Sequence, residues 1–169
     1  RERRGTCIQQ QHGLAGRHTL VTPIECLPMW SRAHLAGGHQ RVDLPNGEIL
    51  LPIRYRKDAK VRDYTTIVAR CRFDGEKLTY VEHGSEFTIP RERGLYEPSI
   101  TAFGGKFYLT MRADHSAFVV RGGDGLNYEP FIEWTFDDGK VLGSYNTQQH
   151  WLTHNDTLYL VYTRRGANN

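Results

Sequence analysis

Short apolar runs separated by turn residues make up most of this chain, and no long segment keeps the 3.6-residue apolar period of a helix. Three stretches repeat one arrangement: a two-residue turn, a β-prone apolar run, then an arginine. They are Asn46-Gly47 with Glu48 to Arg54, Gly104-Gly105 with Lys106 to Arg112, and Asn155-Asp156 with Thr157 to Arg164. The turns begin at Asn46, Gly104 and Asn155, at intervals of 58 and 51 residues. A period near 50 residues is the mark of a repeat architecture. Another β-prone run precedes each turn: His39 to Leu44, Pro98 to Phe103, and His150 to Thr153. Asn-Gly and Gly-Gly between apolar runs predict hairpins, because the tight turns they favour need positive φ. We label the two strands of each hairpin A and B.

A second hairpin follows in the first two copies. Tyr64 to Cys71 leads through Asp74-Gly75 to Leu78-Val81, and Ala117 to Val120 leads through Asp124-Gly125 to Tyr128-Phe131. The two Asp-Gly pairs lie 50 residues apart. The expectation is all-β: four antiparallel strands per repeat, the blade of a β-propeller. The blades are expected at 37–90 and 91–140, with the first hairpin of another at 141–169. Segment 1–36 is read as the end of a preceding blade plus a loop. About three blades' worth is too little to close a ring, so the chain reads as a single partial domain of a six- or seven-bladed propeller. Its start at Arg1 rather than Met agrees with a piece of a longer protein, one expected to be monomeric and secreted or periplasmic.

Strand topology turns the arginines into a spatial expectation. In an up-and-down four-stranded sheet the start of A and the end of B share one end, and the C–D turn lies at the other. The shared end collects His39 and Gln40, Tyr96 and Glu97, and Gln148, Gln149 and His150. It also collects Arg54, Arg56, Arg112, Asp114, His115, Arg164 and Arg165. Arginines converging from neighbouring repeats make an anion site, since the guanidinium fork fits a carboxylate and keeps its charge. Tyrosine and histidine beside them supply groups that titrate or attack. Arg164 sits one residue further along its strand than Arg54 and Arg112, which leaves Arg165 as its rival.

Composition narrows the partners. Net charge is +3, with 24% charged and 38% hydrophobic residues, which is too mild for a nucleic-acid footprint. The apolar runs are too short to span a membrane as helices. Arg1 to Arg4 and Arg91 to Arg93 read as solvated loops. Cys7, Cys26 and Cys71 lack metal-ligand spacing, and Gly37-Gly38 between His34 and His39 argues for a loop, so no metal and no cofactor is expected.

Two motifs carry a resemblance. Arg121-Gly122-Gly123-Asp124-Gly125-Leu126-Asn127-Tyr128 resembles a degenerate Asp box, and Phe73 to Tyr80 resembles a poorer one, both without the leading Ser and closing Trp. Over residues 37 to 169 the chain is similar to the sialidase superfamily of propellers with BNR or Asp-box repeats. That resemblance implies a glycoside hydrolase in which an arginine triad binds the substrate carboxylate and a glutamate activates a tyrosine nucleophile. Arg54, Arg112 and Arg164 would supply the triad, Tyr96 and Glu97 the tyrosine and glutamate. Gln148, His150 and His115 would line the substrate. The chain also resembles ulvan lyases and related propeller polysaccharide lyases. That likeness implies β-elimination at a uronic acid: His39 and Tyr96 handle protons, Arg112 neutralises the carboxylate, and His18 pairs with His39. Propeller rhamnosidases acting next to glucuronate share the scaffold. Three functions stay open: a sialidase-type hydrolase acting on acidic oligosaccharides or polysaccharides, a lyase, and a non-catalytic glycan-binding propeller. A structural, protein-binding propeller is the fourth possibility.

Overall fold

The computed structural model describes residues 39–58, 60–143 and 147–163. Ten strands and no helix occur among them. A first sheet is formed by β1 (Val42–Asp43), β2 (Glu48–Tyr55), β3 (Thr65–Phe73) and β4 (Leu78–His83). A second is formed by β5 (Tyr96–Phe103), β6 (Lys106–Arg112), β7 (Ala117–Gly122) and β8 (Ile132–Glu133). Strands β9 (His150–His154) and β10 (Thr157–Val161) form a two-stranded sheet. Each sheet is an antiparallel meander in chain order. The sheets do not close into a ring among the described residues.

The turn chemistry is that of the repeat. Gly47 has φ 83°, Gly104 has φ 56° and Gly105 has φ 71°, while Asn155 and Asp156 reach positive φ without glycine. The two Asp-Gly turns are built alike. The Asp74 carboxylate accepts from the backbone N–H of Glu76 (2.9 Å) and Lys77 (2.7 Å). The Asp124 carboxylate accepts from those of Leu126 (2.9 Å) and Asn127 (2.7 Å).

Several strand boundaries depart from the sequence reading; β5, for instance, starts at Tyr96 and not at Pro98. Strand β1 is confined to two residues, because the backbone oxygen of Gln40 accepts from Ile100 on β5 (3.2 Å) and so leaves the first sheet's ladder. Strand β4 runs on to His83. The fourth strand of the second sheet starts at Ile132, not Tyr128: Tyr128 makes only an isolated bridge to Gly122, and Pro130 has no N–H to offer a ladder.

Side-chain alternation assigns the faces. Leu50 and Val68 of the first sheet are buried in one cluster with Ile100, Leu109, Met111, Phe118 and Val120 of the second. This shared core holds β2 beside β5. The opposite face of the first sheet buries Ile53, Tyr55, Ile67, Ala69 and Cys71. Trp151 of β9 locks onto the second sheet: its indole N–H donates to the Ser99 carbonyl (2.9 Å) and its ring lies 6.1 Å from that of Tyr108. Consecutive sheets are thereby held side by side, and their equivalent ends lie together.

Candidate functional site

The first arginine is placed by the β2–β3 register, which sets Arg54 opposite Thr66 and Tyr55 opposite Thr65. Carried one residue further, that register brings Arg56 beside Tyr64, and the Arg56 guanidinium carbon lies 4.3 Å from the Tyr64 ring centre. Arg54, two residues back on the same face, lies 4.8 Å from that ring. On the second sheet Tyr96 pairs with Arg112 across β5 and β6. The phenolic oxygen of Tyr96 accepts from Arg112 Nη1 (2.8 Å) and from Arg93 Nη2 (2.8 Å), and its O–H donates to Asp114. Arg93 also donates through Nε to Asp114 Oδ1 (2.7 Å).

Between Tyr96 and Ser99 the β5–β6 register slips by one residue, forming a β-bulge. Pro98 removes a ladder donor at that point. Glu97 takes φ 49°, a left-handed conformation that costs a non-glycine residue roughly 1–2 kcal/mol. Its carboxylate lies between the two sheets' arginines. Arg112 Nε donates to Oε2 at 2.5 Å, and Arg54 Nη1 lies 3.5 Å from Oε1. Three guanidiniums, those of Arg112, Arg93 and Arg54, sit over the single Tyr96 ring at 4.2, 4.7 and 5.7 Å from its centre. The ring's negative face accommodates the clustered cations.

Burial and the neighbouring arginines together set the protonation states. Burial pushes the Glu97 carboxyl up, but the Arg112 hydrogen bond and the charges of Arg112 and Arg54 outweigh it, and it stays below the usual range. The Arg93 hydrogen bond holds Asp114 low as well. Burial, with the hydrogen bond to Asp114, drives the Tyr96 phenol up against the two arginines. His39 is lowered to about 4, first by burial, then by Arg54 and more weakly by His150, with Glu97 acting in the opposite sense. His39 is therefore a neutral imidazole at neutral pH.

Among the described residues the structure gathers Arg54, Tyr96, Glu97, Arg112 and His39, with His150 in electrostatic reach of His39. Tyr96 and Arg112 are buried within the cluster. Gln148 is half-buried ahead of β9, and its neighbour Gln149 is buried, accepting from the Thr110 hydroxyl at 2.5 Å. His115 is exposed. His18, Arg164 and Arg165 lie outside the described residues, as do His34, Cys7 and Cys26. Cys71 is a free, buried thiol raised by burial to about 11. No group of three or more His, Cys, Asp or Glu poised for a metal ion occurs among the described residues.

Sequence reasoning missed Arg93 and Tyr64, and left Asp114 without a role. Arg91-Glu92-Arg93 is exposed, as a solvated run should be, yet the Arg93 guanidinium reaches across to Tyr96 and Asp114. The signal was Gly94, which has φ 73° and lies so close to Tyr64 that a Cβ there would meet the Tyr64 carbonyl oxygen at 2.3 Å. That close approach seats Arg93 and Tyr64 beside Tyr96. No family model, curated protein or solved structure matches the chain.

Proposed function

We propose that this chain is part of a β-propeller that acts on acidic glycans and binds a sugar carboxylate at the arginine end of its sheets. One observation carries this reading: Arg54 and Arg112, from two different sheets, meet at a single carboxylate, that of Glu97. Two guanidiniums face the single charge of Glu97, and the positive charge left over suits a second carboxylate beside it. The alike Asp74 and Asp124 turns, 50 residues apart, and the chain-order meanders support the propeller as scaffold.

The chemistry favoured by the site is β-elimination at a uronic acid. Elimination needs the carboxylate neutralised, so that the neighbouring carbon-bound proton becomes acidic, and a neutral base to remove that proton. Arg54 and Arg112 supply the first. His39, uncharged at neutral pH and electrostatically coupled to both Arg54 and Glu97, supplies the second; as the double bond forms, the glycosidic bond to the next ring carbon breaks, and the departing oxygen takes a proton from water. Sialidase-type hydrolysis is the second reading. It has one observation in its favour: the Tyr96 O–H donates to a carboxylate, Asp114, as an activated tyrosine nucleophile must.

Incubation with uronate polysaccharides and, separately, with sialosides distinguishes the two. Elimination leaves an unsaturated uronate that absorbs in the ultraviolet; hydrolysis does not. The expected outcome is ultraviolet-absorbing product from the uronate substrate. His39→Gln is expected to lower turnover by about 100-fold or more with binding retained, and Arg112→Gln to abolish binding. Sialoside cleavage without unsaturated product selects the hydrolase. Binding without turnover selects a glycan-binding module, and binding to neither glycan sinks the proposal.

A further inference from the structure

We infer that Arg56 and Tyr64 form a second anion subsite beside the carboxylate position, so that the ligand is a chain bearing at least two acidic groups rather than a lone acidic sugar. The inference rests on the carboxylate reading of Arg54 and Arg112 and extends it along β2.

Stacking on Tyr64 occupies a face of the Arg56 guanidinium and leaves its in-plane N–H donors to find acceptors elsewhere. They do not all find them. The Nε atoms of Arg54 and Arg56 are both buried without a hydrogen-bond partner. A buried donor with no acceptor is costly, and native proteins rarely leave one. Two such donors on neighbouring same-face arginines, resting on the same tyrosine ring, mark a place built to receive oxygen acceptors. Arg54 has Glu97 as an ion-pair partner at 3.5 Å. Among the described residues Arg56 is in no comparable ion pair; the nearby Lys57 holds Glu86 at 2.9 Å instead. Arg56 and Tyr64 are only partly buried, so part of the stacked pair is open to a ligand even though the Arg56 Nε itself is covered.

Spacing defines the ligand. Residues two apart on a strand are separated by about 7 Å. An anion at Arg56 is therefore a separate group from the carboxylate between Arg54 and Arg112, yet close enough to sit on the same oligosaccharide. A terminal acidic sugar with one carboxylate fills only the first position.

The test is calorimetric titration of the protein with glucuronic acid and with an oligoglucuronate, alongside the NMR signal of the Arg56 Nε–H. The oligosaccharide is expected to shift the Arg56 Nε–H resonance and the monosaccharide is not. Arg56→Gln should weaken the oligosaccharide about tenfold and leave the monosaccharide unchanged. Equal affinities in wild type and Arg56→Gln for the oligosaccharide, or equal weakening of both ligands, overturns the second subsite while the carboxylate reading stands. Wild type binding neither ligand fails the carboxylate reading and the subsite together. Tyr64→Phe, which keeps the ring, should bind as wild type; a loss there equal to that of Arg56→Gln would place the effect on the hydroxyl and not on the stacked arginine.

Discussion

His39 is neutral where a histidine in water would be half-charged near its ordinary value. The cause is burial, reinforced by Arg54, and the consequence is a pH-dependent fold. The folded-state value lies near 4 and the unfolded one near 6.5, so between those pH values the unfolded chain binds more protons. Stability from this group is full above about pH 6.5 and is lost as pH falls toward 4. The loss is on the order of 3 kcal/mol at most, since part of it is screened by solvent. Glu97 and Asp114, both held low by arginines, act in the same direction at still lower pH. Thermal melts of wild type and His39→Gln between pH 7 and pH 4 separate the contributions. The wild-type midpoint should fall steeply over this range, and that of the variant should fall less. Identical slopes would mean that His39 is not held neutral by the fold.

The elements carry these residues by means of two backbone irregularities, neither of them in the sequence reading. The bulge before Ser99, at a Pro98 that reads in sequence as an ordinary strand start, turns Glu97 toward Arg54 and Arg112. Nothing in the exposed run Arg91-Glu92-Arg93 says that Arg93 reaches Tyr96 and Asp114. That follows only from Gly94, whose backbone bridges Tyr64, and from Glu92, whose carboxylate accepts from the Asp114 N–H at 2.8 Å. The strands were legible because hairpin chemistry and apolar runs are local. The Arg93–Tyr96–Asp114 network was not, because Asp114 comes from a segment separate from that of Arg93 and Tyr96 and only packing joins them. Gly94→Ala tests the device. The new Cβ would lie 2.3 Å from the Tyr64 carbonyl oxygen at φ 73°, so the turn must shift. The expected result is a loss of about 2 kcal/mol or more in stability, with Arg93 displaced from Tyr96. Denaturant unfolding measures the first, and the ultraviolet difference spectrum of the tyrosines reads the second. Unchanged stability would show that the close approach is not needed.

At the scale of the molecule, a shared end exists only if neighbouring sheets stay in step, and Gln40 is the residue that couples the parts. Its side-chain amide N–H donates to the Trp151 carbonyl at 2.8 Å, and its side-chain oxygen accepts from Ser99 Oγ at 2.9 Å and from the Trp151 N–H. One side chain from the segment leading into the first sheet thus joins β5 to β9. The Trp151 indole bond to Ser99 runs in parallel with it. Topology placed Gln40 at the correct end of the first hairpin, but a glutamine has no sequence signature for a cross-sheet tie. Gln40→Ala leaves a Trp151 N–H and carbonyl without their partner near the buried indole, and should cost about 2 kcal/mol. The loss should be local. The apolar core shared by the first two sheets does not involve Gln40, so exchange protection of β2 and β6 amides should persist while that of β9 and β10 falls. Because His150 opens β9, loosening that sheet should also move His150 relative to His39 and change the pH at which His39 titrates. Hydrogen exchange resolved by strand, with NMR titration of His39, measures both effects. Uniform loss of protection across all three sheets would instead mean that they unfold as one unit, with no separable role for the tie.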